Sequence, residues 1–316
     1  EHRPNDNDIL DEVDQPRLFL ALPWACSPLL CATIHPMLPV TTLGILSALT
    51  SAIVWGGGDF LGGLATRRAS PFAVLTWSAS SGLTALLALA LITGENLPAL
   101  RDLGWAALAG AGGALGLSLF YRALATGSSA VVAPTAAVVG AGFPVVFAAL
   151  TLGAPPLMQA IGFAVALVGI GLMGRSTAAD RVSRAAFGLA LTSGLGFAAF
   201  FILIGRVTPG SVFYPLVGAR SAMLLVSLIV LRARGERLPA PAASRVALAS
   251  GVLDAFGNLF FLLAQQLTRL DIAVVLASLY PASTIVLSRF FLKERASRAQ
   301  WSGAALCLAA VVLITA

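Results

Sequence analysis

Histidine is nearly missing from this chain of 316 residues: there are two, His2 and His35, both ahead of its apolar body. A histidine proton relay, a His-containing metal triad and a histidine-activated nucleophile are therefore excluded from that body. Charge is scarce as well, 11% of residues against 58% apolar, with a mean hydropathy of +0.90; soluble domains carry ~25% charged residues. The three cysteines, Cys26, Cys31 and Cys307, form no metal or disulfide spacing, and Cys307 reads as a small apolar packing residue. No GxxxxGK[ST] run occurs, so nothing within the chain couples it to ATP, and no cofactor is implied. The alternating ten-residue segments of a membrane β-barrel are absent too. A net charge of +6 is no nucleic-acid footprint here, because the basic residues sit in short loops between apolar stretches.

Those stretches fix the class. Ten spans of about twenty apolar residues can be drawn, at roughly 43–65, 71–92, 103–124, 128–150, 157–174, 186–205, 212–231, 245–267, 271–292 and 300–316,. The chain is expected to be an all-α polytopic membrane protein of ten transmembrane helices. Residues 1–36 stand apart: an acidic polar run is followed by an apolar one broken by Pro23, Pro28 and Pro36, without the basic start of a secretory signal,. Met37 resembles a natural start, and residues 1–42 are expected to be a poorly ordered extension.

The spans repeat. Gln159-Ala-Ile-Gly162 reappears as Gln300-Trp-Ser-Gly303, Arg122-Ala-Leu124 as Gln265-Gln-Leu267, and Ala130-Val-Val132 as Ala273-Val-Val275, at offsets of 141 and 143 residues,. Two five-span repeats follow, 43–174 and 185–315. Five is odd, so the second repeat enters the membrane in the opposite sense, an inverted arrangement known from secondary transporters. Charge supports the inversion. Loops after spans 1, 3, 5, 7 and 9 hold fourteen Lys/Arg, the opposite loops only Arg101, Arg206 and Arg269. The positive-inside rule makes the first set cytoplasmic and puts both termini outside the cytoplasm.

Within span eight, GVLDAFGNLFFLLAQQL, Asp254, Asn258 and Gln265 are spaced by four and seven and form one polar stripe,. A carboxylate in hydrocarbon costs at least ~2.5–3.5 kcal/mol, so it is expected to face protein or a cavity. Asp254 lies nine residues past Arg245 and Asp59 eight before Arg67, ~13 and ~12 Å below the basic edge. Arg220 comes from the opposite side on the adjacent antiparallel span, within side-chain reach of Asp254. That pair reads either as a structural tie or as a substrate or proton site. Asp59 either bonds a neighbouring helix or faces Asp254 across a cavity. Arg122, at a helix end, reads as an interfacial anchor. Tyr280 and Pro281 are expected to break span nine, and Pro134 and Pro144 span four, as kinks or as an unwound substrate-facing segment. Trp77 and Tyr214 read as packing or interface residues, and Gly112–Gly116 as a helix-packing signal.

Several of these residues lie in motifs: Trp55-Gly-Gly-Gly-Asp-Phe60, Tyr121-Arg-Ala-Leu124, Val275-Leu-Ala-Ser-Leu-Tyr-Pro281, Leu292-Lys-Glu-Arg295 and Gln300-Trp301. In this order they resemble the EamA-type proteins of the drug/metabolite transporter superfamily, over about 43–315. One departure stands out: Leu152-Gly-Ala154 occupies the place where the family usually carries Gly-Glu, so Glu294 has no counterpart in the first repeat. The resemblance implies a cell-membrane secondary transporter of small metabolites, amino acids or similar polar solutes, an exporter working by alternating access and no enzyme. The expected substrate-facing residues are Asp254, Asn258, Arg220, Tyr280 and Trp55, with Asp59 and Asp254 as proton-coupling candidates. The expected partners are a small-molecule substrate and the lipid bilayer. The alternatives are a lipid flippase or an intramembrane enzyme.

Overall fold

The computed structural model describes residues 39–126, 129–173, 184–291 and 297–315. The expected extension thus lies almost wholly outside the described residues, as do Arg175, Arg181, Lys293, Glu294 and Arg295. Among the described residues there are eleven α-helices, one 3-10 turn and no strand. In the first half, α1 runs Val40–Thr66, α2 Pro71–Thr93, α3 Leu100–Thr126, α4 Ser129–Leu152 and α5 Leu157–Met173. In the second, α6 is Arg184–Ile204, α7 Phe213–Ala233, α8 Arg245–Leu267, α9 Leu270–Ala277, α10 Tyr280–Phe291 and α11 Arg298–Thr315, with the 3-10 turn Pro241–Ser244 leading into α8.

Among the described residues, nine helical segments are long and apolar enough to cross a membrane, α9 and α10 counting together as Leu270–Phe291. The expected fifth span, α5, is shorter at 17 residues, ~26 Å against a ~30 Å hydrocarbon core. The interior is built largely of alanine, glycine and serine, while large side chains such as Leu91, Ile92, Leu150 and Leu308 stand exposed. That distribution suits helices that pack by close backbone approach and offer apolar chains to lipid.

Helix ends show local causes. The Ser70 hydroxyl accepts the Ala73 N–H at 3.3 Å, Pro71 sits in the first turn of α2, and Gly94 closes that helix at φ 66°,. Glu95, just beyond, accepts the N–H groups of Val212, Phe213 and Tyr214 at 2.8–3.2 Å. It thereby places negative charge on the positive end of α7.

The ninth span breaks where expected: α9 ends at Ala277, whose carbonyl Pro281 leaves without a donor, and Tyr280 opens α10 with Pro281 in its first turn,. The expectation for the fourth span needs correction. Pro134 and Pro144 lie inside α4, which continues through both. Cys307 is buried against α5, as its reading from sequence held.

Helix packing is nearly unchanged when the halves are exchanged, α1 for α6, α2 for α7, α3 for α8, α4 for α9–α10 and α5 for α11. The α1–α8 contact maps onto α6–α3, α2–α8 onto α7–α3, and α1–α9/α10 onto α6–α4; α2–α7 and α5–α11 map onto themselves. The centre of this exchange lies between the α1–α8 and α3–α6 pairs.

Candidate functional site

A cavity of about 590 Å³, its open side included, occupies that centre. Trp55 and Asp59 of α1, Asp254 and Asn258 of α8, and Ser278 and Tyr280 at the α9–α10 break line it together with α3, α4, α6 and Met223 of α7.

The glycine run in α1 makes the α1–α8 face possible. A Cβ on Gly58 would lie 3.3 Å from the Asp254 backbone nitrogen, and one on Gly62 2.6 Å from the Tyr121 ring. With glycine at both, α8 seats Asp254 against α1, and Tyr121 of α3 lies over α1. Ser250 ties these three helices: its hydroxyl donates to the Gly58 carbonyl at 2.8 Å and stands 3.4 Å from the Tyr121 hydroxyl.

Arg220 of α7, 2% exposed, forms an ion pair with Asp254, and its Nη1 lies 3.5 Å from the Met223 sulfur. Arg220 does not itself line the cavity; it reaches Asp254 from behind. Asp59 and Asp254 lie on the same α1–α8 side of the cavity, near enough for their like charges to interact. Among the described residues, no ion pair or hydrogen bond is made to the side chains of Asp59 or Asn258, and the buried Ser278 hydroxyl has no hydrogen-bond partner. Polar groups left open in this way are where a solute exchanges its water for protein. Pro144 leaves the carbonyl of cavity-lining Gly140 without its helical donor, and Pro281 does the same to Ala277 at the break,.

Of the residues expected from sequence, Trp55, Asp59, Asp254, Asn258 and Tyr280 thus meet in one cavity, and Arg220 stands directly behind it. The third member of the polar stripe does not. Gln265 lies two turns further along α8, beside Gly205, and donates to the Phe201 carbonyl at 3.3 Å. Sequence reasoning missed Ser278, Met223 and the wall formed by Phe197, Phe200 and Phe201. The offset of 143 read between spans three and eight would pair Asp254 and Asn258 with Ala111 and Leu115, but the packing follows an offset of 141: Gly251 lies against Ser78 as Gly110 lies against Ala219, and Gly257 against Trp55 as Gly116 against Gly196. In that register Phe200, Gly113 and Leu117 are the positions equivalent to Asp59, Asp254 and Asn258, and all six line the cavity.

At the end of the bundle holding the loops after α2, α4, α6 and α8, the two halves are joined by polar contacts. Thr208 donates to Asp102 at 3.2 Å, Arg269 to the Gly153 carbonyl at 3.0 Å, and the Arg206 guanidinium lies 5.4 Å from the centre of the Phe147 ring. Arg269 is itself held by Asp271, at 2.9 and 3.2 Å, and that bonding keeps its guanidinium more basic than usual.

Compared with known proteins, the chain matches the EamA-like transporter family model twice, over residues 42–175 and 184–316. No curated protein matches it. One solved crystal structure superposes with a TM-score of 0.68 at 17% identity, covering 86% of this chain and 96% of its own; the likeness is one of fold.

Proposed function

The chain belongs to the EamA-like transporter family, within the drug/metabolite transporter superfamily, and from that premise we propose that it is a secondary active exporter of small polar metabolites, amino acids or similar solutes, across the cell membrane. In this reading α5 is the fifth of ten spans, and repeats 43–174 and 185–315 are inverted about the central cavity. The loops after spans 1, 3, 5, 7 and 9 are cytoplasmic, and the contacts around Asp102, Gly153 and Arg269 form the gate on the opposite side. Alternating access follows from one repeat rocking against the other.

The carrying observation is an unpaired carboxylate, Asp59, in a cavity between the halves, beside an Asp254 that is already paired. Asp59 is the proton-coupling group, with Asp254 as the second candidate. Asn258, Ser278, Tyr280 and Trp55 contact substrate, and Arg220 acts through Asp254. A carboxylate that binds either a proton or a solute, and returns with the other, couples the two fluxes. The test uses proteoliposomes loaded with a panel of metabolites. Wild type should show counterflow and uptake driven by a pH gradient; Asp59→Asn should keep counterflow and lose the response to the gradient. Unchanged gradient-driven uptake in Asp59→Asn removes Asp59 from coupling, and a wild type that moves no solute overturns the transporter reading.

A further inference from the structure

We propose that the substrate is an amphiphilic monocation, an organic ammonium with an apolar or aromatic body, held head-first against the α1–α8 side of the cavity. The proposal rests on the transporter reading but replaces the amino acids named there with a cationic substrate class. The first observation is charge. Among the described residues, the cavity lining includes two carboxylates and no cation; Arg220 neutralises Asp254 from outside, which leaves Asp59 uncompensated. A zwitterion would bring a carboxylate that finds no positive partner in the lining, and an anion would meet net negative charge. A single cation closes the balance.

The second observation is how the lining divides. The α1–α8 pair supplies Asp59, Asp254 and Asn258; the α3–α6 pair, which the repeat exchange maps onto it, supplies Phe200, Gly113 and Leu117 at the equivalent positions. Because the repeats differ at these exchange-related positions, the cavity has a polar acidic half facing an apolar aromatic half. A solute polar all round would leave its far side unpaired against Phe200 and Leu117, and a wholly apolar one would leave Asp59 unpaired; both are penalised. An ammonium head with an apolar body satisfies both halves, and ring faces next to a cation add attraction.

The experiment measures binding to the full-length protein in nanodiscs by calorimetry, with three probes of one shape: phenethylammonium, 2-phenylethanol and phenylacetate. The cation should bind at least about tenfold more tightly than the neutral alcohol, and the anion not at all, since tenfold is the modest end of a carboxylate contact plus a cation–π contact. Asp59→Asn should erase the preference for the cation. Phe200→Ala should weaken phenethylammonium while leaving its preference over the alcohol, and Leu308→Ala, on the lipid-facing surface, should change neither. Equal affinity for the three probes, or tighter binding of the anion, overturns the proposal on wild type alone, without any variant having to fold. Failure here with counterflow of another solute sinks the cation assignment and leaves the transporter reading standing. Binding of phenethylammonium that proteoliposomes do not transport supports the assignment and sinks the transporter reading.

Discussion

The Arg220–Asp254 pair gives the sharpest energetic prediction. Arg220 is 2% exposed and the Asp254 side chain 16% exposed, so neither group recovers much water if its partner is removed. Deleting one member of a buried pair costs ~3–5 kcal/mol, because the remaining charge is left uncompensated. Arg220→Met should fall in that range, since it leaves Asp254 beside Asp59 with like charge and no cation. Asp254→Asn should cost a similar amount, since the guanidinium keeps only the weak contact to the Met223 sulfur. The double variant removes both charges at nearly constant volume and should lie within ~1–2 kcal/mol of wild type, as replacements of whole buried pairs often do. Reversible unfolding in mixed micelles, followed as a function of denaturing detergent, measures all four proteins. A double variant no more stable than the weaker single, its loss equal to the sum of the two, would refute the coupling. Transport adds a second reading: a double variant that is stable but inactive separates the role of the pair in the site from its role in the fold.

Three further outcomes follow from residues away from the cavity. Glu95→Ala removes a carboxylate that accepts three N–H groups at the start of α7 and should destabilise by ~1–2 kcal/mol in the same unfolding assay, with raised hydrogen exchange at Val212, Phe213 and Tyr214. Glu236 lies in the loop after α7, where the Ser70 hydroxyl, and then the Arg234 guanidinium, hold its carboxyl below its ordinary value of 4.5. A depressed carboxyl stabilises the fold above its unfolded value and loses that contribution as pH falls through its folded value. Glu236→Gln should therefore unfold more readily than wild type at neutral pH, by less than ~1 kcal/mol because its partner Arg234 is exposed to solvent, and the gap should close below pH 4.5,. Gly62→Ala pushes a Cβ toward the Tyr121 ring and should cost ~1–3 kcal/mol in thermal or detergent stability; an unchanged stability would mean that α1 and α3 are not packed as closely as described.

The spans, their doubling and the carboxylates were legible because hydrocarbon leaves little choice: an apolar run of twenty residues is a helix, and an aspartate within one must be served by something. Reach between adjacent antiparallel helices was enough to pair Arg220 with Asp254. The sequence did not reveal which proline-bearing span would yield. Proline marks a missing donor, which becomes a break in one setting and not in another: α4 absorbs Pro134 and Pro144, whereas the ninth span breaks at Ser278–Leu279, just ahead of Pro281. Nor could helical periodicity tell which end of the α8 stripe met the cavity. Asp254 and Asn258 share a face with Gln265, yet two turns carry Gln265 to the backbone of α6.

The asymmetry of the cavity connects these findings. Had both repeats kept the same residues, exchange symmetry would place like beside like, with paired acids or paired rings on the two sides. Instead Asp59 is answered by Phe200, Asp254 by Gly113 and Asn258 by Leu117. Close packing still constrains both sides: α8 can approach α1 at Gly58, and α6 can approach α3 at Gly112 and Gly116, because each pair has lost the Cβ atoms that would hold it apart. The two pairs therefore share a backbone arrangement while differing in the chemistry they present inward. The alternating access proposed above needs the first property, since the two states of an inverted repeat are related by exchanging the roles of its halves. Recognition needs the second, because only unlike walls can orient a solute with unlike ends.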